Sequence, residues 1–108
     1  MARRLSRGDV WMYEFSAPDK RRPVLILTRT SATGYLTALT VAPITTTIRG
    51  IPSEVVLTQD DGLLTECAAN LDNIQTVAKA NLGPLIAVLS SARMEEVDRA
   101  IGFALGMA

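Results

Sequence analysis

The 108-residue chain has no histidine, a single cysteine (Cys67) and few aromatics: one Trp, two Tyr and two Phe. Without histidine there is no imidazole general base, no His metal ligand and no Ser-His-Asp triad. One cysteine permits no internal disulfide, no Cys-x-x-Cys zinc site and no iron–sulfur cluster. It reads most simply as a small buried hydrophobe. Long hydrophobic runs are missing too: the longest are Val24–Leu27 and Leu85–Leu89, far short of the ~20 residues of a membrane span. The basic start, Met1-Ala2-Arg3-Arg4-Leu5-Ser6-Arg7, leads into Gly8-Asp9 with no apolar signal core, so it does not read as a secretory peptide. The expectation is one cytoplasmic domain over residues 1–108, with no cofactor, metal or membrane association.

What is present is a core-forming composition, with 48% apolar and 20% charged residues. That balance excludes a disordered or low-complexity chain. The formal net charge is +0, but it is unevenly spread. Residues 1–50 carry eight basic and three acidic groups, whereas residues 51–108 carry three basic and eight acidic ones. The basic half suggests a polyanion-binding face; the plainer alternative is that sequence halves are not spatial faces.

Strands come first and a helix last. Asp9–Phe15 alternates Val10, Met12 and Glu14 with Trp11, Tyr13 and Phe15, the two faces of a strand. Ser16–Lys20 is a turn, and Arg22–Arg29 a second strand with Pro23 at its start, where a missing N–H is tolerated. Ser31–Gly34 breaks the chain before a third strand, Tyr35–Ile44. Glu54–Leu57, a mixed stretch Cys67–Val77 and a short strand Leu85–Leu89 follow, with Asp60-Asp61-Gly62 as a turn. From Ser90 the period changes: Met94, Val97, Ile101, Ala104 and Leu105 make one helical stripe, capped by Ser90 or Ser91. Glu95 and Glu96 are expected in its first turn, with an i,i+4 pair between Glu95 and Arg99. The fold class is mostly β with one C-terminal helix, a small barrel or coiled antiparallel sheet.

Arg7-Gly8-Asp9-Val10-Trp11, Arg22-Pro23-Val24-Leu25 and Val41-Ala42-Pro43-Ile44-Thr45 resemble the MazF/PemK toxins, as do Gly50-Ile51-Pro52-Ser53-Glu54-Val55 and Leu71-Asp72-Asn73-Ile74-Gln75-Thr76-Val77. The segment Met94–Ile101 is similar to the family's final helix. Each motif is weak alone, but the ordered set covers almost the whole chain. The resemblance implies an SH3-like barrel, a homodimer, and a sequence-specific, metal-independent endoribonuclease inhibited by a cognate antitoxin. It implies cleavage of single-stranded RNA by the substrate's own 2′-OH, leaving a cyclic phosphate and a 5′-hydroxyl.

By the same resemblance, Arg22 and Thr45 match the family's catalytic arginine and threonine. A guanidinium can grip two phosphate oxygens and offset the charge of a phosphorane; a threonine hydroxyl can donate to phosphate or relay a proton. Alone, these residues read equally as a solvated basic turn and a strand end satisfying its own backbone. Substrate contacts are expected from Lys20, Arg21, Thr46, Thr47, Arg49, Asn70, Asp72 and Asn73, with Tyr35, at a loop tip, as the base-stacking aromatic. Trp11 reads as core or dimer interface. Two departures stand out. A glutamate-bearing insertion between the first two strands is missing, leaving its role to Asp19, Glu14 or no residue. Asn70 stands where the PemK branch has a catalytic arginine, two residues before a matching Asp72, itself open to a plain turn reading. The rival classes are a CcdB-like gyrase poison and a non-catalytic SH3-like binding module, neither of which requires the Arg22/Thr45 pair.

Overall fold

The computed structural model describes residues 5–16 and 21–107; Lys20 and Asp19 fall outside them. Seven strands form one coiled antiparallel sheet: β1 (Asp9–Glu14), β2 (Arg21–Ile26), β3 (Ala38–Thr45), β4 (Glu54–Leu57), β5 (Cys67–Asn70), β6 (Gln75–Ala78) and β7 (Leu82–Val88). Their order is β4-β5-β3-β2-β1-β7, with β6 paired to β3. The long strand β3 is the hinge of the sheet. Its first half, Ala38–Val41, pairs with β6, and its last two residues, Ile44 and Thr45, pair with β5. One helix, α1 (Ser91–Ala104), packs on β4 and the turn after β5.

The sheet is covered on both faces, which explains the continuous apolar run in β2. Leu25 joins Val10, Ala42, Ile44, Val55, Leu57, Val97 and Ala100 in the core beneath α1. Its neighbours Val24 and Ile26 turn the other way, into a second cluster with Tyr13, Leu39, Val41 and Val77. All three β2 side chains are fully buried, each contributing about 1.5–3 kcal/mol by leaving water. Cys67 is buried in the first cluster. Burial first, then the nearby charges of Asp61 and Glu66, push its thiol pKa up, so it stays an inert hydrophobe. Trp11 packs against the second cluster and donates its indole N–H to Asp9 Oδ2 at 3.1 Å.

The Arg7-Gly8-Asp9 opening is a structural clamp. Gly8 sits at φ +96°, where an L side chain would be strained, and its N–H donates to Ile26 O. Arg7 Nε donates to Leu27 O, and Arg7 Nη2 reaches Asp98 on α1 at 2.7 Å. Buried Asp9 accepts from Ser6 N–H at 2.9 Å. The first strand is thereby tied to β2 and to the helix.

Several boundaries differ from the sequence expectation. β2 begins one residue earlier and ends at Ile26 instead of Arg29, and β3 starts at Ala38, not Tyr35. The cause is a 3₁₀ turn at Thr30–Ala32, which claims the N–H groups of Thr33, Tyr35 and Leu36 for Thr30 O and Ala32 O. The mixed stretch Cys67–Val77 is two strands split by a turn at Leu71–Asn73, and β7 starts at Leu82, ahead of the expected Leu85. Ser90 caps α1 by accepting from Arg93 N–H, so Glu95 and Glu96 lie beyond the first turn, which carries no acid. Among the described residues the helix's ion pairs run from Arg93 to Glu96 and to Asp61, and from Asp98 to Arg7, in place of the expected Glu95–Arg99 pair.

Candidate active site

Strand alternation sorts the basic and hydroxyl residues onto two faces. Successive side chains point to opposite sides, so Arg22 shares a face with Val24, whereas Arg21 shares one with Pro23. In the β1–β2 register Arg22 stands opposite Tyr13, and Arg21 opposite Glu14. Across the β2–β3 pair, Val24 stands opposite Pro43, which brings the end of β3 beside the start of β2.

Arg22, Pro43 and Asn73 line two adjoining hollows. The larger, about 710 Å³, is completed by Phe15, Ser16, Asp72, Ile74 and Gln75. The smaller, about 220 Å³, is completed by Thr45, Thr47, Arg49, Glu54 and Asn70. The half-buried Arg22 therefore stands between a roomy cleft and a tight polar one. Seven of the expected residues converge here: Arg22, Thr45, Thr47, Arg49, Asn70, Asp72 and Asn73.

Hydrogen bonds fix the acidic and amide members. Asp72 Oδ2 accepts from the buried Ser53 hydroxyl at 2.5 Å, and Asp72 N–H donates to Asn70 Oδ1 at 2.9 Å. Asn70 is thus the cap of the Leu71–Asn73 turn, and its oxygen is engaged; the NH₂ group is the end it can offer to an anion. Thr45 Oγ1 accepts from Thr47 N–H at 3.1 Å. An oxygen that accepts from its own loop has its hydroxyl proton aimed elsewhere, so Thr45 is set up as a donor. Guanidinium, hydroxyl and amide groups facing one polar hollow make an anion-binding arrangement suited to charge that develops on a phosphoryl group.

Four expected residues lie apart. Arg21 lines a separate hollow of about 260 Å³ with Met12, Glu14 and Gly83. Glu14, a candidate for the missing insertion glutamate, lines that same hollow and so sits away from Arg22. Thr46, at the bend just past the end of β3, borders an apolar hollow of about 250 Å³ with Ile44, Leu63, Cys67 and Ile86 and not the polar one. Thr45 borders that hollow as well as the polar one. Tyr35 is 67% exposed and accepts from Arg29 Nη2 at 3.1 Å. It precedes the start of β3 at Ala38, while Thr45 ends that strand, and it lines neither of the two hollows that Arg22 shares. Lys20 is outside the described residues. Among the residues that sequence reasoning missed, Phe15 is the aromatic that borders the Arg22 cleft, and Glu54 is the carboxylate in the Thr45 hollow. For Glu54 the available signal was its place two residues after Pro52, at the mouth of a strand.

Against known proteins, residues 6–105 match the family described as PemK-like, MazF-like toxin of type II toxin–antitoxin system. The chain belongs to this family. This MazF-like toxin is 43% identical over 89 residues, 82% of the chain and 86% of the relative, to endoribonuclease MazF3 of Mycobacterium tuberculosis. Its fold matches the solved structure of the M. tuberculosis toxin MazF-mt6 at a TM-score of 0.85 and 38% identity, covering 93% of this chain and 98% of that one. A mycobacterial endoribonuclease solved in complex with its cognate antitoxin matches at 0.84 and 28% identity, covering 96% and 97%. The fold class and the family expected from the motifs therefore stand, and neither the gyrase-poison nor the adaptor alternative is favoured.

Proposed function

We propose that this MazF-like toxin is an endoribonuclease that cuts single-stranded RNA at the Arg22–Thr45 hollow, through attack of the substrate's 2′-OH on the adjacent phosphorus. The observation that carries this reading is the shared hollow of Arg22 and Thr45, two donors with no imidazole anywhere in the chain. When the nucleophile belongs to the substrate, the protein has only to align it, stabilise the phosphorane and handle protons. Arg22 grips the non-bridging oxygens in a fork, and Thr45 donates to one of them. Asp72, held by Ser53, and the amides of Asn73 and Gln75 border the larger cleft, where they offer acceptors and donors to a base edge beside Phe15. The 2′-OH–phosphorus bond forms as the bond to the 5′-oxygen breaks, leaving a 2′,3′-cyclic phosphate and a 5′-hydroxyl.

The mechanism proposed routes no step through a metal, and the EDTA assay below tests that; among the described residues no group of three His, Cys, Asp or Glu side chains is placed to hold one. Likewise, among the described residues no helix is long and apolar enough to cross a membrane. The partners proposed are RNA, a cognate antitoxin and a second copy of the chain. The antitoxin is supported by the structural relative solved with its own. The second copy is supported by Leu64, 90% exposed at the lip of the apolar hollow beside Thr45. Incubating the protein with an RNA pool in EDTA tests the function, because only a metal-independent ribonuclease cuts there. Intact RNA together with inhibited gyrase supercoiling would replace this reading with the gyrase-poison class.

A further inference from the structure

Glu54 opens β4 directly opposite Asn70 of β5, on the wall of the hollow that holds Thr45 and Arg22. Its position is rigid. The β4–β5 register is set by buried Val55 and Leu57, and Leu71 N–H donates to Ser53 O at 2.9 Å. From this fixed point the carboxylate reaches back across the loop that joins β3 to β4. Glu54 Oε1 accepts from both Arg49 N–H at 2.9 Å and Gly50 N–H at 3.1 Å. Gly50 sits at φ +71°, a left-handed conformation that turns successive N–H groups toward one acceptor and that glycine adopts without strain.

The loop so held begins at Thr45. Residues 46–52 are largely exposed, with Ile48 and Ile51 each 36% exposed. Its hydrogen bonds are Thr47 N–H to Thr45 Oγ1, the pair to Glu54 Oε1, and the backbone bond from Glu54 N–H to Ile51 O at 3.0 Å. The first of these occupies one acceptor direction of the Thr45 hydroxyl and so narrows where its proton can point.

We infer that Glu54 is a positioning residue: its carboxylate latches the Arg49–Gly50 backbone, and the latched loop holds Thr47 N–H on Thr45 Oγ1 so that the Thr45 hydroxyl donates into the hollow. This rests on the Arg22–Thr45 reading above and adds to it a carboxylate at the hollow, whereas Glu14 lines a separate one. The role is one of geometry: both backbone bonds fall on Oε1, and rescue by glutamine separates it from proton transfer, which needs the carboxylate. A glutamine amide oxygen can accept the same two bonds, whereas alanine cannot.

The test combines kinetics with amide exchange on Glu54→Ala, Glu54→Gln and the unmodified protein. Losing bonds to a charged acceptor is expected to lower kcat for a short RNA about tenfold or more in Glu54→Ala. KM changes less than kcat, and Glu54→Gln recovers most of the rate. In the unmodified protein the Arg49, Gly50 and Thr47 amides are protected despite their exposure; Glu54→Ala abolishes that protection and leaves the amides of β2 unchanged. Full activity in Glu54→Ala, an equal loss in Glu54→Gln, or unprotected Arg49 and Gly50 amides in the unmodified protein would each overturn the latch. If the unmodified protein cuts no RNA, the ribonuclease reading falls, and the amide protection still decides the latch.

Discussion

Two adjacent arginines should differ sharply in their effect on cleavage. Arg22 is half-buried between the two hollows of the candidate site, whereas Arg21 is exposed and lines a different hollow. Replacing Arg22 by alanine removes a preorganised donor aimed at developing charge, which typically costs about 3 kcal/mol, or a hundredfold or more in rate. Arg22→Lys keeps the charge but loses the fork, so one charge-assisted bond of ~1.5 kcal/mol is lost and the rate falls about tenfold. Arg21→Ala removes only distant attraction across the sheet. At roughly 0.15 M salt, where the Debye length is ~8 Å, the change should stay within about threefold. Single-turnover cleavage of a short fluorescent RNA measures all three, with circular dichroism to verify folding. Equal losses at Arg21 and Arg22 would refute the argument from strand alternation.

Further expectations follow from the same geometry. Thr45→Ala should lower the rate most, and Thr46→Ala least, because Thr46 faces the apolar hollow; equal losses at all three threonines would make the run merely structural. RNA binding, measured by anisotropy, should show a slope of about −1.4 in log affinity against log salt if Arg22 and Arg49 are the two cationic contacts in the hollow. A flat response would put the RNA elsewhere. For acid stability, burial opposes ionisation of Asp61, but the Arg93 hydrogen bond at 3.0 Å and the Thr58 N–H outweigh it and hold its pKa below the ordinary value. A lowered carboxylate stabilises the fold above its unfolded pKa of about 3.9 and stops doing so as the pH falls through the folded value. Asp61→Asn should therefore cost about 1–2 kcal/mol near neutrality in urea denaturation, with the gap closing below about pH 4; a gap unchanged at low pH would contradict the pairing.

Much of this architecture was legible from local chemistry. The alternation in Asp9–Phe15, the placement of Pro23 near a strand start and the stripe from Met94 to Leu105 predict the elements found, although β1 stops at Glu14, α1 at Ala104, and Leu105 is exposed. Two of the misplaced boundaries share a cause: short 3₁₀ turns at Thr30–Ala32 and Leu71–Asn73 interrupt runs whose composition reads as strand. At the site, motif order found Arg22, Thr45, Thr47, Arg49, Asn70, Asp72 and Asn73. Neighbourhood in sequence misled where a strand's period of two separates neighbours in space, as for Arg21, and where the chain bends past the end of β3, as at Thr46. Tyr35 looked suitable because exposed aromatics stack on bases, but it precedes the far end of β3, and Phe15 is the ring at the cleft. Glu54 was hidden because its role depends on β4–β5 register and a loop conformation that only three-dimensional folding creates.

The most direct test of the central claim, that the Arg22–Thr45 hollow cuts RNA through the substrate's own 2′-OH, uses two oligonucleotides identical except at the scissile nucleotide. One carries ribose there and the other 2′-deoxyribose, with both assayed in EDTA and the products identified by mass spectrometry. The account predicts cleavage of the first to a 2′,3′-cyclic phosphate and a 5′-hydroxyl, no cleavage of the second, and binding of both. Cleavage of the deoxy substrate, or a product bearing a 5′-phosphate, would contradict it.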